Sequence, residues 1–371
     1  MISTEEIITK RIQCRGPRFL NKSPSSVQSI VAECCKELNI SQPTIIYCDT
    51  LTKGFSAFYL HNRPFLFYDS SLIEILYIIG SILYSGAKNE DVDKLLYKLF
   101  AEELLKKSDL LYSMYFVGKY NQTAFTFDES ANNDSHDKII QQVSVQNYFL
   151  IAHELSHLSL HSSSISPNFS RFVQVSVREL AERNLKFGRT KKDILEEYSL
   201  YFLDVPAKSF DDYMEQIMHS VRFQRFIEEC YCDFVGVKLL LEHYENGEAS
   251  LVAISSVLNF LLALECIRSD LDAGIENLTK ENIIAKNTMF FALLREQIFL
   301  LTLQINNLNS INNVFDEIHN KNFLTDRLGI FIKNLPNGKS MRTIGNSFLP
   351  KISEESIRSV LINQLYYCHV A

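Results

Sequence analysis

Apolar residues recur at helical spacing along most of this chain, and strand-like patterning is confined to a stretch near its beginning. Ser23-Pro24 makes a helix start, with serine as N-cap and proline at the first helical position. Val27, Ile30, Val31, Cys34 and Leu38 follow on one face. Residues 44–48 are β-branched and aromatic. Residues 55–60 and 65–68 are two further strand candidates, joined by the turn-like His61-Asn62-Arg63-Pro64. Helical spacing returns over 70–84, and 89–107 predicts a strongly amphipathic helix. The stretch 112–127 is ambiguous, with one more strand as an option. After the polar, helix-starting Asn132-Asn133-Asp134-Ser135, helices are predicted near 137–162, 170–187, 191–202, 210–245, 249–268, 280–307 and 353–366.

This pattern specifies an α+β fold that is predominantly α-helical, with a small N-terminal sheet and large helical insertions. Residues 1–85 form the α+β segment, and residues 86–371 a helical region continuous with it as one domain. No internal repeat, low-complexity tract or clear linker interrupts the sequence. Gly (12) and Pro (8) are sparse in 371 residues and Trp is absent, which favours long helices over a loop-rich scaffold. A formal charge of -7 gives no electrostatic basis for binding nucleic acid. The short basic stretches at 106–107 and 189–192 read as solvated helix ends. No secretory signal is visible. The longest uncharged run, 249–264, contains Ser250, Ser255, Ser256 and Asn259 and falls short of the ~20 apolar residues of a bilayer span. A second apolar stretch, 289–303, is broken by Arg295 and Glu296. The expectation is a soluble, cytoplasmic chain with no integral membrane segment. Its eight cysteines show no framework and are expected to be reduced.

Candidate chemistry concentrates in one helix, around His153-Glu154-Leu155-Ser156-His157. Two histidines four residues apart present both imidazoles on one helix face, close enough to share a zinc ion at about 2.0–2.1 Å. Glu154 is rotated to the side, where it reaches a water on the metal without ligating the metal. Zinc lowers the pKa of that water, and the carboxylate takes its proton as it attacks a carbonyl. The preceding residues, Tyr148 to Ala152, are apolar, as a buried helix requires. A third ligand is needed, and Glu229 leads. If residues 228–236 are helical, Glu229 and Asp233 share a face with Cys232 and Gly236, small enough to admit the histidine helix. Asp233 is then placed to hydrogen-bond the free nitrogen of a ligand histidine. Glu228 is the alternative ligand, flanked by the bulkier Tyr231 and Val235. The competing reading is a pair of core histidines and two carboxylates on a solvated helix.

The combination of His-Glu-x-x-His with a later Glu-x-x-(small)-Asp-x-x-Gly resembles the gluzincin metallopeptidases, in particular HtpX-type and CAAX-prenyl proteases and soluble Lit-type peptidases. The resemblance implies a zinc endopeptidase acting on protein or peptide substrates. It also implies a substrate-side edge strand and following helix within residues 54–76. His319 through Asp326-Arg327-Leu328 is similar to a late His-Pro…Arg element of the family, with Asn320 in place of proline. Ser156 stands where family members commonly carry glycine, and the membrane-spanning helices of HtpX-type enzymes are not evident.

Other candidates carry less. His161 continues the histidine face, but no chain reversal follows His157, so it reads as a helix-end histidine rather than a third ligand. Cys230 and Cys232 read as packing residues rather than thiolate ligands. Tyr231, His219 and His319 are candidate donors to a tetrahedral oxyanion, with His319 first because of its family match. The alternative function is a non-catalytic zinc-containing helical sensor or protein-interaction module. A metal-free helical interaction protein is a third reading.

Overall fold

The computed structural model describes residues 17–19, 23–84, 88–126, 133–186, 190, 192, 210–244, 247–272, 274, 294–295, 297–302, 323–347 and 357–361. Strands β1 (Pro17–Phe19), β2 (Thr44–Thr50), β3 (Ser56–Leu60) and β4 (Arg63–Asp69) form a mixed sheet in the order β1-β2-β4-β3. The β1–β2 and β3–β4 pairs are antiparallel and the β2–β4 pair is parallel. Helix α1 (Ser25–Glu37) makes the crossover between β1 and β2. The three expected strands are present, and β1 is an addition. It is too short for any periodicity to announce it.

The helices that follow are α2 (Ser70–Tyr84), α3 (Asn89–Lys106), α4 (Leu110–Gln122), α5 (Asn133–Ser159), α6 (Pro167–Lys186), α7 (Phe210–Met218), α8 (Val221–His243), α9 (Gly247–Asp272), α10 (Phe323–Lys333) and α11 (Gly338–Ser347). Helices α10 and α11 fall between the predicted helices 280–307 and 353–366, and two other stretches differ from expectation. The stretch 112–127 supplies α4, not a strand: Asp109 caps its first turn by accepting the Tyr112 N–H, and Tyr112, Phe116 and Tyr120 are buried. The helix expected over 210–245 is two helices. Ser220 breaks it, its hydroxyl accepting the Phe223 N–H at 3.0 Å to start α8.

Helix α5 runs through the main core, which joins the sheet to α1–α5 and α8–α11. A second cluster gathers α6, α7, the first half of α8 and residues 294 and 298. Residues 249–268 of α9 are long and apolar enough to cross a membrane, with mean hydropathy 2.0, but 89% of that window is buried inside the protein. Ser256 faces α5, where the amide nitrogens of Gln142 and Gln146 donate to its hydroxyl and Gln146 also donates to the Ala253 carbonyl, and Asn259 donates within the helix to Ser255. It is a core helix.

The loop between β2 and β3 is clamped on three sides. Asp69, fully buried at the end of β4, accepts the Thr50 N–H and hydroxyl, the Gly54 N–H and the hydroxyl of Ser71 in the first turn of α2. Arg268 of α9 donates to the Thr52 carbonyl at 3.0 Å. Lys53, at a left-handed φ of 49°, turns inward, and its Nζ lies 2.6 Å from Glu102 of α3 with both side chains excluded from solvent. Lys98 pairs with the other Glu102 oxygen at 3.2 Å and with Glu74 at 3.5 Å. The polar face of α3 is thus turned into a buried charge layer rather than solvated, and the loop it grips leads directly into the edge strand β3.

Candidate metal centre

The expected cluster assembles where α5 and α8 pack. His153 Nε2 lies 3.4 Å from one Glu229 oxygen, and His157 Nε2 lies 3.4 Å from the other. A ligand atom from each of the three residues can be chosen so that all lie within 4.8 Å of one another. Ligands about 2.0–2.1 Å from a tetrahedral zinc are themselves ~3.4 Å apart. Two imidazoles and a carboxylate at these spacings suit a divalent ion.

Gly236 makes the approach of the two helices close. A Cβ built there meets the Phe149 ring at 3.2 Å and the His153 backbone nitrogen at 3.4 Å. Cys232, one turn earlier, is fully buried. Gly236→Val is therefore expected to cost about 1–3 kcal/mol of stability by overpacking, and to weaken metal binding by spreading α5 from α8. Urea unfolding and a zinc titration check this, and wild-type values in both would remove close approach as the reason for glycine.

Asp233 is where the sequence places it, its Oδ1 accepting from His153 Nδ1 at 2.9 Å. That bond orients the ring with Nε2 toward Glu229, and with an ion bound it would fix the tautomer that leaves Nε2 to ligate. Burial would push the His153 imidazole down, but its hydrogen bonds to Asp233 and Glu229 and the Asp233 charge outweigh it and hold it at about 10. A bound metal has to displace that proton. Glu229 is held well below the usual carboxylate range; its burial acts the other way, and the neighbouring Arg295 and His153 overcome it.

No protein-family model matches this chain, and no curated protein or solved structure matches it. The chemistry rests on the geometry alone.

Glu154 stands outside the three-residue cluster. Its Oε2 accepts the backbone N–H of Ala57 at 2.9 Å, across from α5 to the edge strand β3. The hairpin explains why that N–H is free to point outward. His61 and Asn62 both have positive φ, 49° and 59°, giving the type I′ turn that makes Leu60 and Arg63 a hydrogen-bonded pair. Pairs alternate along an antiparallel ladder. Ala57 opposite Leu66, and Tyr59 opposite Pro64, therefore turn their backbone groups away from β4. With Ala57 N–H taken, the Ala57 carbonyl and the Tyr59 N–H and carbonyl remain along that edge.

His161 is no ligand: its ring stacks on Tyr59, centroids 4.3 Å apart, and ties the end of α5 to β3. Tyr231 turns away from the cluster to meet Phe169 of α6 edge-on. Burial pushes the Cys230 and Cys232 thiols up, and both side chains are buried packing residues. His219 is exposed in the turn before α8. His319 lies outside the described residues. Arg327 pairs bidentately with Asp93 of α3, at 2.7 and 2.6 Å. The arginine at the cluster is instead Arg295, which bonds both Glu229 and Asp233.

Proposed function

We propose that this chain is a zinc-dependent endopeptidase of the gluzincin kind, acting on protein or peptide substrates. The observation that carries the reading is the His153, His157 and Glu229 cluster, supported by Glu154, which follows His153 in the chain and hydrogen-bonds the edge strand β3. His153, His157 and Glu229 hold the ion, and Asp233 orients His153. Zinc in such a site supplies Lewis-acid polarisation of a carbonyl and acidifies water. Glu154 takes a proton from the attacking water and returns it to the departing amide nitrogen. The outward groups of Ala57 and Tyr59 align an extended peptide by strand addition. His319 is the proposed oxyanion donor.

Residues 1–85 and 86–371 act as one domain in this reading, since the Ala57–Glu154 bond crosses from one to the other. Six cysteines among the described residues are buried free thiols, which suits a cytoplasmic setting.

Metal content of the purified protein, measured by mass spectrometry beside His157→Ala and Glu229→Ala, tests the ligand set. About one zinc per chain, lost in both variants, is expected. Cleavage of a peptide library by the zinc-loaded wild type tests the activity, and zinc without cleavage would leave a sensor or interaction module. Zinc at about a hundred times its Kd is also expected to raise the unfolding free energy by about 2.7 kcal/mol, an increment abolished by a chelator.

A further inference from the structure

Arg295 is the charged residue at this centre to which the foregoing chemistry assigns no part. Its side chain is only 16% exposed. Nε and Nη2 form a fork on Asp233, at 2.5 and 2.7 Å, and Nη1 reaches Glu229 Oε2 at 3.0 Å. Nη2 also lies 3.5 Å from both ring nitrogens of His153. One planar guanidinium therefore touches the third ligand, the carboxylate that orients the first ligand, and the first ligand itself.

With His153 neutral, as a metal ligand would be, Arg295 enters the charge balance of the centre. Glu154, Glu229 and Asp233 bring three negative charges. Arg295 offsets one, leaving two for a divalent cation. The fork also fixes Asp233 in the plane in which it receives His153 Nδ1, a geometry an ammonium cannot reproduce. The bond to Glu229 Oε2 restrains that carboxylate while Oε1 stays on the side of His157.

The support behind Arg295 comes from the helices between the two motifs. Its neighbours Leu294 and Ile298 belong to the second apolar cluster with Val173 and Val177 of α6, Ile217 of α7 and Phe226 of α8. We propose that Arg295 is the positioning residue of the metal centre, bracing Glu229 and Asp233 together, and that the apolar nest built by α6 and α7 seats it. This rests on the metal-centre reading above. The long insertion between His157 and Glu229 then serves to hold a guanidinium behind the ligands.

The test is zinc affinity by chelator competition, with the visible absorption of the cobalt-substituted protein, for wild type, Arg295→Met, Arg295→Lys and Ile298→Ala. Removing a partner of metal ligands typically weakens metal binding about 10–100-fold. That loss is expected for Arg295→Met, together with an altered cobalt spectrum. Arg295→Lys should recover only part of it, because one ammonium cannot fork onto Asp233 while holding Glu229. Ile298→Ala, which touches no ligand, should weaken zinc in the same direction. Zinc affinity within twofold of wild type in Arg295→Met, or in Arg295→Lys should the methionine variant not fold, overturns the proposal. A wild type that binds no zinc overturns the metal centre itself, and this inference with it.

Discussion

Glu154→Gln is expected, on the proposed function, to keep zinc and to slow peptide hydrolysis by about 10²–10⁴-fold, the range that a positioned general base contributes. The amide has the size of the carboxylate and can still accept the Ala57 N–H through its oxygen, so the link from α5 to β3 survives. It has no basic site for the proton of the attacking water. Because Glu154 stands outside the three-residue cluster, the loss is expected on kcat, with zinc stoichiometry at the wild-type value. Steady-state kinetics on any substrate found by library cleavage, with metal analysis of the same preparation, separates the two. A variant that cleaves at the wild-type rate would end the general-base role.

The second large effect lies away from the metal. Glu102→Gln removes the carboxylate shared by Lys53 and Lys98, all three side chains being 0–1% exposed. Breaking a buried pair from one side costs about 3–5 kcal/mol, since the partner charge is left without compensation. Lys98 retains Glu74, whereas Lys53 keeps only the carbonyl of Leu51. Lys53→Met should therefore cost less than Glu102→Gln, because Glu102 keeps Lys98. Burial would raise the Glu102 carboxyl, but the two lysines outweigh it and hold it below its ordinary value of 4.5. Its contribution is thus fully present above that pH and is lost as pH falls through the lowered folded value. Urea unfolding measures these differences. A Glu102→Gln protein within about 1 kcal/mol of wild type would mean that water or a shifted side chain neutralises the layer.

Much of the centre was legible because its information is local. Four-residue spacing puts His153 and His157 on one helix face, and the same spacing puts Glu229 and Asp233 on another. Gly236 and Cys232 signalled that the second helix could come close, which the 3.2 Å approach of a Gly236 Cβ to Phe149 bears out. The predominantly helical architecture with its small sheet was readable for the same reason. Arg295 was not. In the sequence it only interrupts an apolar stretch, and nothing local names partners some sixty residues away. Its signal was its isolation, since arginine in an apolar helix is seldom buried without a carboxylate. The charge layer was hidden differently. Periodicity finds the polar face of α3 but cannot distinguish water from Lys53 as what that face meets. The ambiguous stretch 112–127 is aromatic enough for a strand, and the cap at Asp109 is the local feature that favours a helix.

Strand β3 has a further consequence. An open strand edge is also a template on which identical chains can stack. Here the open ladder is only five residues long and ends at a turn whose His61, Asn62 and Arg63 are exposed. One of its outward donors is already engaged by Glu154. What remains is too brief to nucleate a growing sheet, so the edge proposed to align a peptide is also limited against self-association.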